Sequence, residues 1–119
     1  MDMKEMFKQG PSNVERWTQG LHTGVKRWKG VEQRRQGLGD VFSCQGKDFA
    51  EMDYSLREIR MRIKLGKTQQ QRAIQLGSAT LSMDKNAGKE GWVHVTVDAD
   101  ERMQDAITLA RQAYMETQR

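Results

Sequence analysis

The stretch that decides the fold is Glu58-Ile59-Arg60-Met61-Arg62-Ile63-Lys64-Leu65. Apolar and charged residues alternate strictly along it, which is the period of a half-buried strand. A helix competes over the wider segment 48–65, because apolar residues recur there at gaps of three and four. That helix would carry apolar residues on two opposite faces, whereas a strand places every residue of the quoted stretch on a consistent side. We therefore predict a strand over 56–65, preceded by a turn or short helix.

The C-terminal half contains two further regular patterns. Trp92-Val93-His94-Val95-Thr96-Val97 is rich in β-branched residues and predicts a strand. Asp98 and Glu101 have the spacing of a capping box, and apolar residues then line one helical face to near Thr117. Between these patterns and the central strand, residues 72–83 predict a weaker strand, with a helix as the competitor, and residues 84–91 predict a turn.

The N-terminal half predicts one long helix over residues 12–37. Ser12 and Glu15 have capping-box spacing at its start. Apolar side chains at helical gaps then share one face: Val14, Trp17, Leu21, Val25, Trp28 and Val31. We expect residues 1–11 to form a loose segment before this helix, and residues 37–47, which contain three glycines, to form a loop after it.

Together these elements predict an α+β fold with the order α-β-β-β-α. A small antiparallel three-stranded meander would pack against the long N-terminal helix and the C-terminal helix. The 119 residues suit a single small domain. The hydrophobic fraction of 36% is below the ~45–50% that is usual, so the core is modest or is completed by a partner.

Several classes of protein are excluded by composition. The single cysteine, Cys44, allows no internal disulfide and indicates a reducing compartment, so we expect a cytoplasmic protein. No apolar run approaches the ~20 residues of a membrane-spanning helix, and the first residues lack the apolar stretch of a signal peptide. We predict no association with membranes.

No pattern in the chain predicts an active site. Gly66-Lys67-Thr68 resembles the end of a phosphate loop, but Met61 stands where that motif needs its first glycine. Cys44 and His94 form an arithmetically possible nucleophile–base pair, without any accompanying signature of an oxyanion hole. The ligand cluster of a zinc site is also missing. We predict no catalytic residue, no metal and no cofactor.

Basic residues are clustered although the net charge is only +4. Alternating basic residues on a strand project charge at ~7 Å intervals, close to the spacing of successive phosphates. We therefore predict a non-enzymatic protein that binds nucleic acid, either DNA or RNA. The central candidates are Arg57, Arg60, Arg62, Lys64, Lys67 and Arg72, and those of the N-terminal helix are Lys26, Arg27, Lys29, Arg34 and Arg35. Whether the two groups face the same way is left open by the sequence.

The alternative is a protein-interaction module, such as an adaptor, inhibitor or assembly factor. Its docking surface would be the apolar stripe from Val14 to Val31, with Trp17 and Trp28 three helical turns apart on one face. Interfaces are enriched in Trp, Met and Arg, all of which this chain contains. A thin sheet covers one helix well, so this alternative also predicts a homo-oligomer formed through the stripe.

Overall fold

A computed structural model describes residues 13–37, 39–81 and 90–118. Helices occupy α1 (Asn13–Lys26), α2 (Lys67–Gln75) and α3 (Asp100–Thr117). Strands occupy β1 (Val31–Gln36), β2 (Gly39–Cys44), β3 (Lys47–Tyr54), β4 (Ile59–Lys64), β5 (Thr80–Leu81) and β6 (Trp92–Val97). All strand pairs are antiparallel, in the spatial order β1-β2-β3-β4-β6-β5. No helix in these ranges is long and apolar enough to cross a membrane.

Strand β4 confirms the alternation that the sequence predicts. Ile59, Met61 and Ile63 are completely buried, whereas the basic residues between them point to the other side. The neighbouring β6 behaves alike, with its valines buried at 93, 95 and 97. The sheet therefore has a covered face, which carries these apolar side chains, and an open face, which carries the basic residues of β4.

Helices α1 and α3 run in the same direction over the covered face. Trp17 Nε1 donates a hydrogen bond of 2.8 Å to Asp100 at their first turns, and Trp28 lies beside Arg111 near their other ends. A Cβ at Gly20 would lie 2.2 Å from the Cε atom of Met103, so the glycine allows the two helices to approach closely. The core lies between this pair of helices and the sheet.

The prediction of an α+β fold is confirmed, but the three-stranded meander is wrong, because the sheet has six strands in the described residues. The helix predicted over 12–37 ends at Lys26, and Gly30, with φ of +82°, turns the chain into β1. The helical spacing of Trp28 and Val31 misled the prediction, since both pack on the same core from outside the helix. Tertiary pairing with β2 overrides the local helical pattern.

The loop predicted over 37–47 contains β2, and the turn or short helix predicted before residue 56 is β3. A bulge explains why β3 was missed: Phe42 pairs with Ala50 and Ser43 pairs with Asp48, which leaves Phe49 as the extra residue. Phe49 and Ala50 are then both buried, so the alternation of a strand is broken and the apolar spacing mimics a helix.

The weaker strand predicted over 72–83 is also wrong for most of its length. Residues up to Gln75 belong to α2, which buries Gln70 and Ala73, and of the described residues in this segment only Thr80–Leu81 pairs with β6. The predicted strand at β6 and the C-terminal helix are confirmed, but α3 begins after Ala99 with no side-chain cap, so its capping box is wrong. The predictions for Ser12, for residues 1–11 and for residues 82–89 lie outside the described residues.

Candidate nucleic-acid interface

The arginines of the open face are held in ion pairs with neighbouring carboxylates. Arg62 Nη1 lies 3.1 Å from Glu51 Oε2, directly across the β3–β4 pairing, and its guanidinium carbon lies 5.3 Å from the centre of the Trp92 ring. Arg60 Nε lies 3.1 Å from Glu58 Oε1. The two arginines of β4 are therefore paired with carboxylates: Glu51 lies on the neighbouring strand, and Glu58 precedes β4 in the chain.

An arginine at the edge of the open face is also paired with a carboxylate. Arg34 donates two hydrogen bonds to Asp48, of 2.9 and 2.8 Å. These bonds, together with the positive charges of Arg34 and Lys64, hold the pKa of Asp48 below its ordinary value. Because the carboxylate stays ionised, it continues to neutralise Arg34 at physiological pH.

His94 adds no charge to the open face near neutral pH. It lies directly opposite Arg62 in the β4–β6 register. Burial, and secondarily the positive charge of Arg62, lower the pKa of His94 from its ordinary value of 6.5. The imidazole is therefore neutral at pH 7, and the open face presents arginines that are paired with carboxylates, together with Lys64, which is exposed and forms no ion pair with a described residue.

A second basic region lies on the other side of the molecule, in an open groove of about 830 Å³ between α1 and α3. We name it the α1–α3 groove. Its lining consists of Gly20, Thr23, Gly24, Arg27, Trp28, Lys29, Ile107, Arg111 and Tyr114. No atom of the described residues outside α1 lies within 4 Å of the place that a Cβ on Gly24 would take, so this glycine leaves the wall of α1 open.

The cations of the groove lack acidic partners. Arg27, Lys29 and Arg111 are exposed, and none of them forms an ion pair with any residue that the structure describes. Arg111 instead places its guanidinium carbon 5.5 Å from the centre of the Trp28 ring. Lys26, in the last turn of α1, is likewise exposed. The groove is therefore a region where several cations without an acidic partner among the described residues lie together around one aromatic side chain.

Aromatic packing fixes the turn that carries these cations. Trp28 lies 5.3 Å from Tyr114 and 6.5 Å from Phe49 between ring centres. The hydroxyl of Tyr114 donates a hydrogen bond of 2.7 Å to the carbonyl of Lys29. Cations after the end of α1 also complement the negative end of its dipole. The backbone that positions Arg27 and Lys29 is consequently anchored to α3.

The predicted basic residues do not form one surface. Arg34, Arg60, Arg62 and Lys64 project from the open face, whereas Lys26, Arg27 and Lys29 lie at the end of α1 on the opposite side of the sheet. Arg35 points to the covered side, opposite Asp40 in the register. The remaining candidates are dispersed, with Arg57 in the β3–β4 turn and Lys67 and Arg72 on α2.

Arg111 is a groove residue that the sequence did not indicate. It lies on the helix that the sequence predicts, off the apolar face of α3, but its importance comes from the approach of the α1 end, which is 83 residues away along the chain at Trp28. Identifying Arg111 would have required knowing that α1 packs against α3. The local sequence gives no indication of this packing.

The apolar stripe proposed as an interface serves the core of the chain itself. Trp17 is 5% exposed, and Leu21 and Val25 are completely buried. The other three members, Val14, Trp28 and Val31, are partly buried against the same core. A partner would therefore reach only part of the stripe, and homo-oligomerisation through it stays a prediction.

A buried polar cluster, the Asp40 cluster, lies between β2, β3 and α1. Asp40 is 2% exposed and accepts hydrogen bonds from Gln33 Nε2 at 2.8 Å and from the hydroxyl of Tyr54. His22 Nε2 lies 3.1 Å from Asp40 Oδ2 and 3.0 Å from Tyr54 Oη. Burial opposes ionisation of Asp40, but these donors outweigh it and hold its pKa below the ordinary value. Burial, and then Asp40, raise the pKa of Tyr54.

The polar atoms of this cluster bond to one another, which is the behaviour of a structural network. Among the residues in the described ranges, no group of three or more His, Cys, Asp or Glu side chains is arranged to hold a metal ion. No protein-family model, curated protein or solved structure matches the chain. The geometry of the two basic regions is therefore the basis for a candidate function.

Proposed function

We propose that this protein is a non-enzymatic nucleic-acid-binding protein that contacts phosphates through the α1–α3 groove. The observation that carries the proposal is a set of cations around Trp28 that form no ion pair with a described residue: Arg27, Lys29 and Arg111. A cation that already has a carboxylate partner gains less from a phosphate, because the existing pair must be broken. Within the part of the chain that the structure describes, the groove cations have no ion pair that a phosphate would have to break.

The shape of the groove favours an extended polyanion over a small anion. It is wide and open, and its cations are exposed at its rim rather than converging on an enclosed pocket. Small-molecule sites are usually concave and bury most of their ligand. A nucleic-acid backbone needs only a positively charged track, and releases counterions when its phosphates are neutralised.

We expect recognition to be independent of sequence. Arg111 lies over the ring of Trp28, so this aromatic face is occupied by a guanidinium and is not a bare platform for bases. Phosphate contacts fix position without carrying sequence information. Affinity should therefore depend on salt and on the form of the nucleic acid more than on its base composition.

Fluorescence anisotropy across a salt series tests the proposal with generic duplex DNA, duplex RNA and single strands. The groove variant combines Arg27→Gln, Lys29→Gln and Arg111→Gln, and its matched control combines Arg60→Gln, Arg62→Gln and Lys64→Gln. We expect the groove variant to reduce the log–log salt slope by roughly three units, since each neutralised phosphate contributes about 0.9 on duplex DNA. The open-face control should retain most of the slope.

Two results would overturn this assignment. Affinity no tighter than millimolar for every probe at low salt would remove nucleic acid as the ligand. A larger loss of salt slope in the open-face control than in the groove variant would place the phosphate contacts on the open face of the sheet and not in the groove. Circular dichroism of both variants separates a loss of contact from a loss of fold.

The second candidate is a protein-interaction module, which is supported by exposed apolar side chains. Leu56, in the turn between β3 and β4, is 97% exposed, and Leu76, after α2, is 71% exposed. If nucleic acid fails to bind, affinity capture with wild-type protein and with Leu56→Ser and Leu76→Ser variants tests this candidate. Loss of one captured protein in either variant would support it, and equal capture by all three would contradict it.

A further inference from the structure

We propose that the free edge of β1 pairs with the same edge of a second copy of this chain, so that two sheets join into one continuous sheet around a two-fold axis at Gln33. β1 is the terminal strand of the sheet, and no other described strand pairs with its outer side. It is six residues long, whereas the opposite terminal strand, β5, has two. A strand of this length offers a template for pairing.

Backbone geometry determines which groups of β1 are available. Gln36 and Gly39 close the β1–β2 hairpin, and the closing pair of so tight a hairpin exchanges both hydrogen bonds. By alternation, Glu32 and Arg34 also bond to β2, while Val31, Gln33 and Arg35 direct their backbone groups outward. The amide of Val31 agrees with this assignment, because it donates to the carbonyl of Trp28 outside the sheet.

An axis at Gln33 satisfies these outward groups except the carbonyl of Arg35, whose partner in this register would be the Val31 amide that already donates to Trp28. Gln33 exchanges both backbone bonds with Gln33 of the second copy, and the amide of Arg35 donates to the carbonyl of Val31 of the second copy. The side chains keep to their own faces, because this register places residues of equal parity opposite each other. Both pairs of helices then lie on one side of the joined sheet.

Charge complementarity selects this register. Glu32 and Arg34 both project from the open face of β1, since they pair with Ser43 and Val41 of β2. The axis at Gln33 brings Glu32 opposite Arg34 of the second copy, and Arg34 opposite its Glu32, so that each Arg34 would lie between Asp48 of its own chain and Glu32 of the second copy. Opposite charges directly across an antiparallel pair are stabilising, and like charges are destabilising. Moving the axis by one residue to Arg34 would place two arginines against each other.

Charge exchange with light scattering tests this dimer. We expect wild-type protein to have twice its 13.7 kDa chain mass at high micromolar concentration. Glu32→Arg and Arg34→Glu should each weaken dimerisation on the order of tenfold or more, because each places like charges opposite one another twice. An equimolar mixture of the two variants should recover the dimer mass, because every arginine at these two positions then faces a glutamate of the other variant. A monomeric wild type would overturn the proposal, as would a mixture that stays monomeric when both variants keep the wild-type circular dichroism spectrum.

Disulfide trapping supplies a measurement that does not depend on those variants. Gln33→Cys should form a covalent dimer on mild oxidation, because the paired Cα atoms would be ~5.5 Å apart, within the range of a disulfide. Gln36→Cys is the matched control on the same strand, since this register separates its two copies by ~20 Å. The native Cys44 is buried in the structure. Equal trapping of the two variants, or none with Gln33→Cys, would contradict the register.

Discussion

The open face and the α1–α3 groove are both basic in sequence, but they differ in what surrounds each cation. On the open face, antiparallel register places Glu51 across from Arg62, and Asp48 receives two hydrogen bonds from Arg34. In the groove, Arg27, just after α1, and Arg111, on α3, form no ion pair with a described residue, and no carboxylate lies among the described lining residues. Clustering of charge along a chain is therefore a poor measure of charge available to a ligand. Neighbouring strands neutralise the arginines of the open face, whereas the packing of α1 against α3 leaves the groove cations exposed.

The Asp40 cluster is the extreme case of a charge matched inside the fold. The Asp40 carboxylate is buried and has three polar partners in the chain, whereas the groove cations are exposed to solvent. The three regions form a series from fully matched to unmatched charge. Stability should depend on the matched end of this series, and binding on the unmatched end.

The largest effect is expected for Asp40→Asn. The variant keeps the size of the side chain but removes the charge that its donors surround, and the loss of one partner in a buried polar network costs about 2–3 kcal/mol of unfolding free energy. Urea denaturation measures this loss. Nucleic-acid affinity under native conditions should be unchanged, because the cluster is not part of the groove lining. A variant as stable as wild type would show that the cluster is not a source of stability.

The same variant gives a dependence on pH. Because the folded pKa of Asp40 is lowered, its stabilisation is complete above the unfolded pKa of about 4 and is lost as pH falls through the folded value. Wild-type protein should therefore lose stability below about pH 4 more steeply than Asp40→Asn. Parallel pH profiles for the two proteins would contradict this assignment.

The second effect compares charge reversal in the two basic regions. Arg111→Glu places a negative charge in the groove and should weaken binding to duplex DNA on the order of 30-fold to 100-fold at low salt. Arg60→Glu changes the formal charge by the same amount on the open face and should weaken it by about threefold or less, through long-range repulsion alone. Anisotropy titrations measure both. Equal losses would mean that net charge, and not the groove, controls binding.

The third effect compares the two basic regions by stability, where the larger loss is expected on the open face. Arg62→Gln removes a partly exposed ion pair and the contact with the buried Trp92, and should cost about 0.5–1 kcal/mol of unfolding free energy. Arg27→Gln removes an exposed cation without a partner and should change stability by less than about 0.5 kcal/mol. Thermal and urea unfolding decide between them. A greater loss for Arg27→Gln would indicate that the groove cations stabilise the fold.

Sequence patterns could predict the parts of the fold in which local preference and tertiary packing agree. β4, β6 and α3 each have a regular period, and each is present. β3 was missed because the bulge at Phe49 interrupts its alternation, and β1 because Trp28 and Val31 continue the spacing of α1 beyond its end. The candidate site divides in the same way. Arg27 and Lys29 are visible as a cluster, but their lack of partners and the approach of Arg111 depend on contacts between distant segments.

The smallest effect concerns His94, which titrates on the open face beside Arg62. Burial and Arg62 lower its pKa, so it is neutral at pH 7 and gains a proton only as the solution becomes more acidic. A phosphate bound on the open face would stabilise the protonated imidazole and raise this pKa, whereas a phosphate in the groove lies on the far side of the sheet. We therefore expect the pKa of His94, followed by the chemical shifts of its ring protons, to be the same with and without duplex DNA.

Affinity should also change in parallel for wild type and His94→Gln between about pH 7.5 and pH 6. A rise in the pKa on binding, lost in the combined Arg60→Gln, Arg62→Gln and Lys64→Gln variant, would move the interface to the open face.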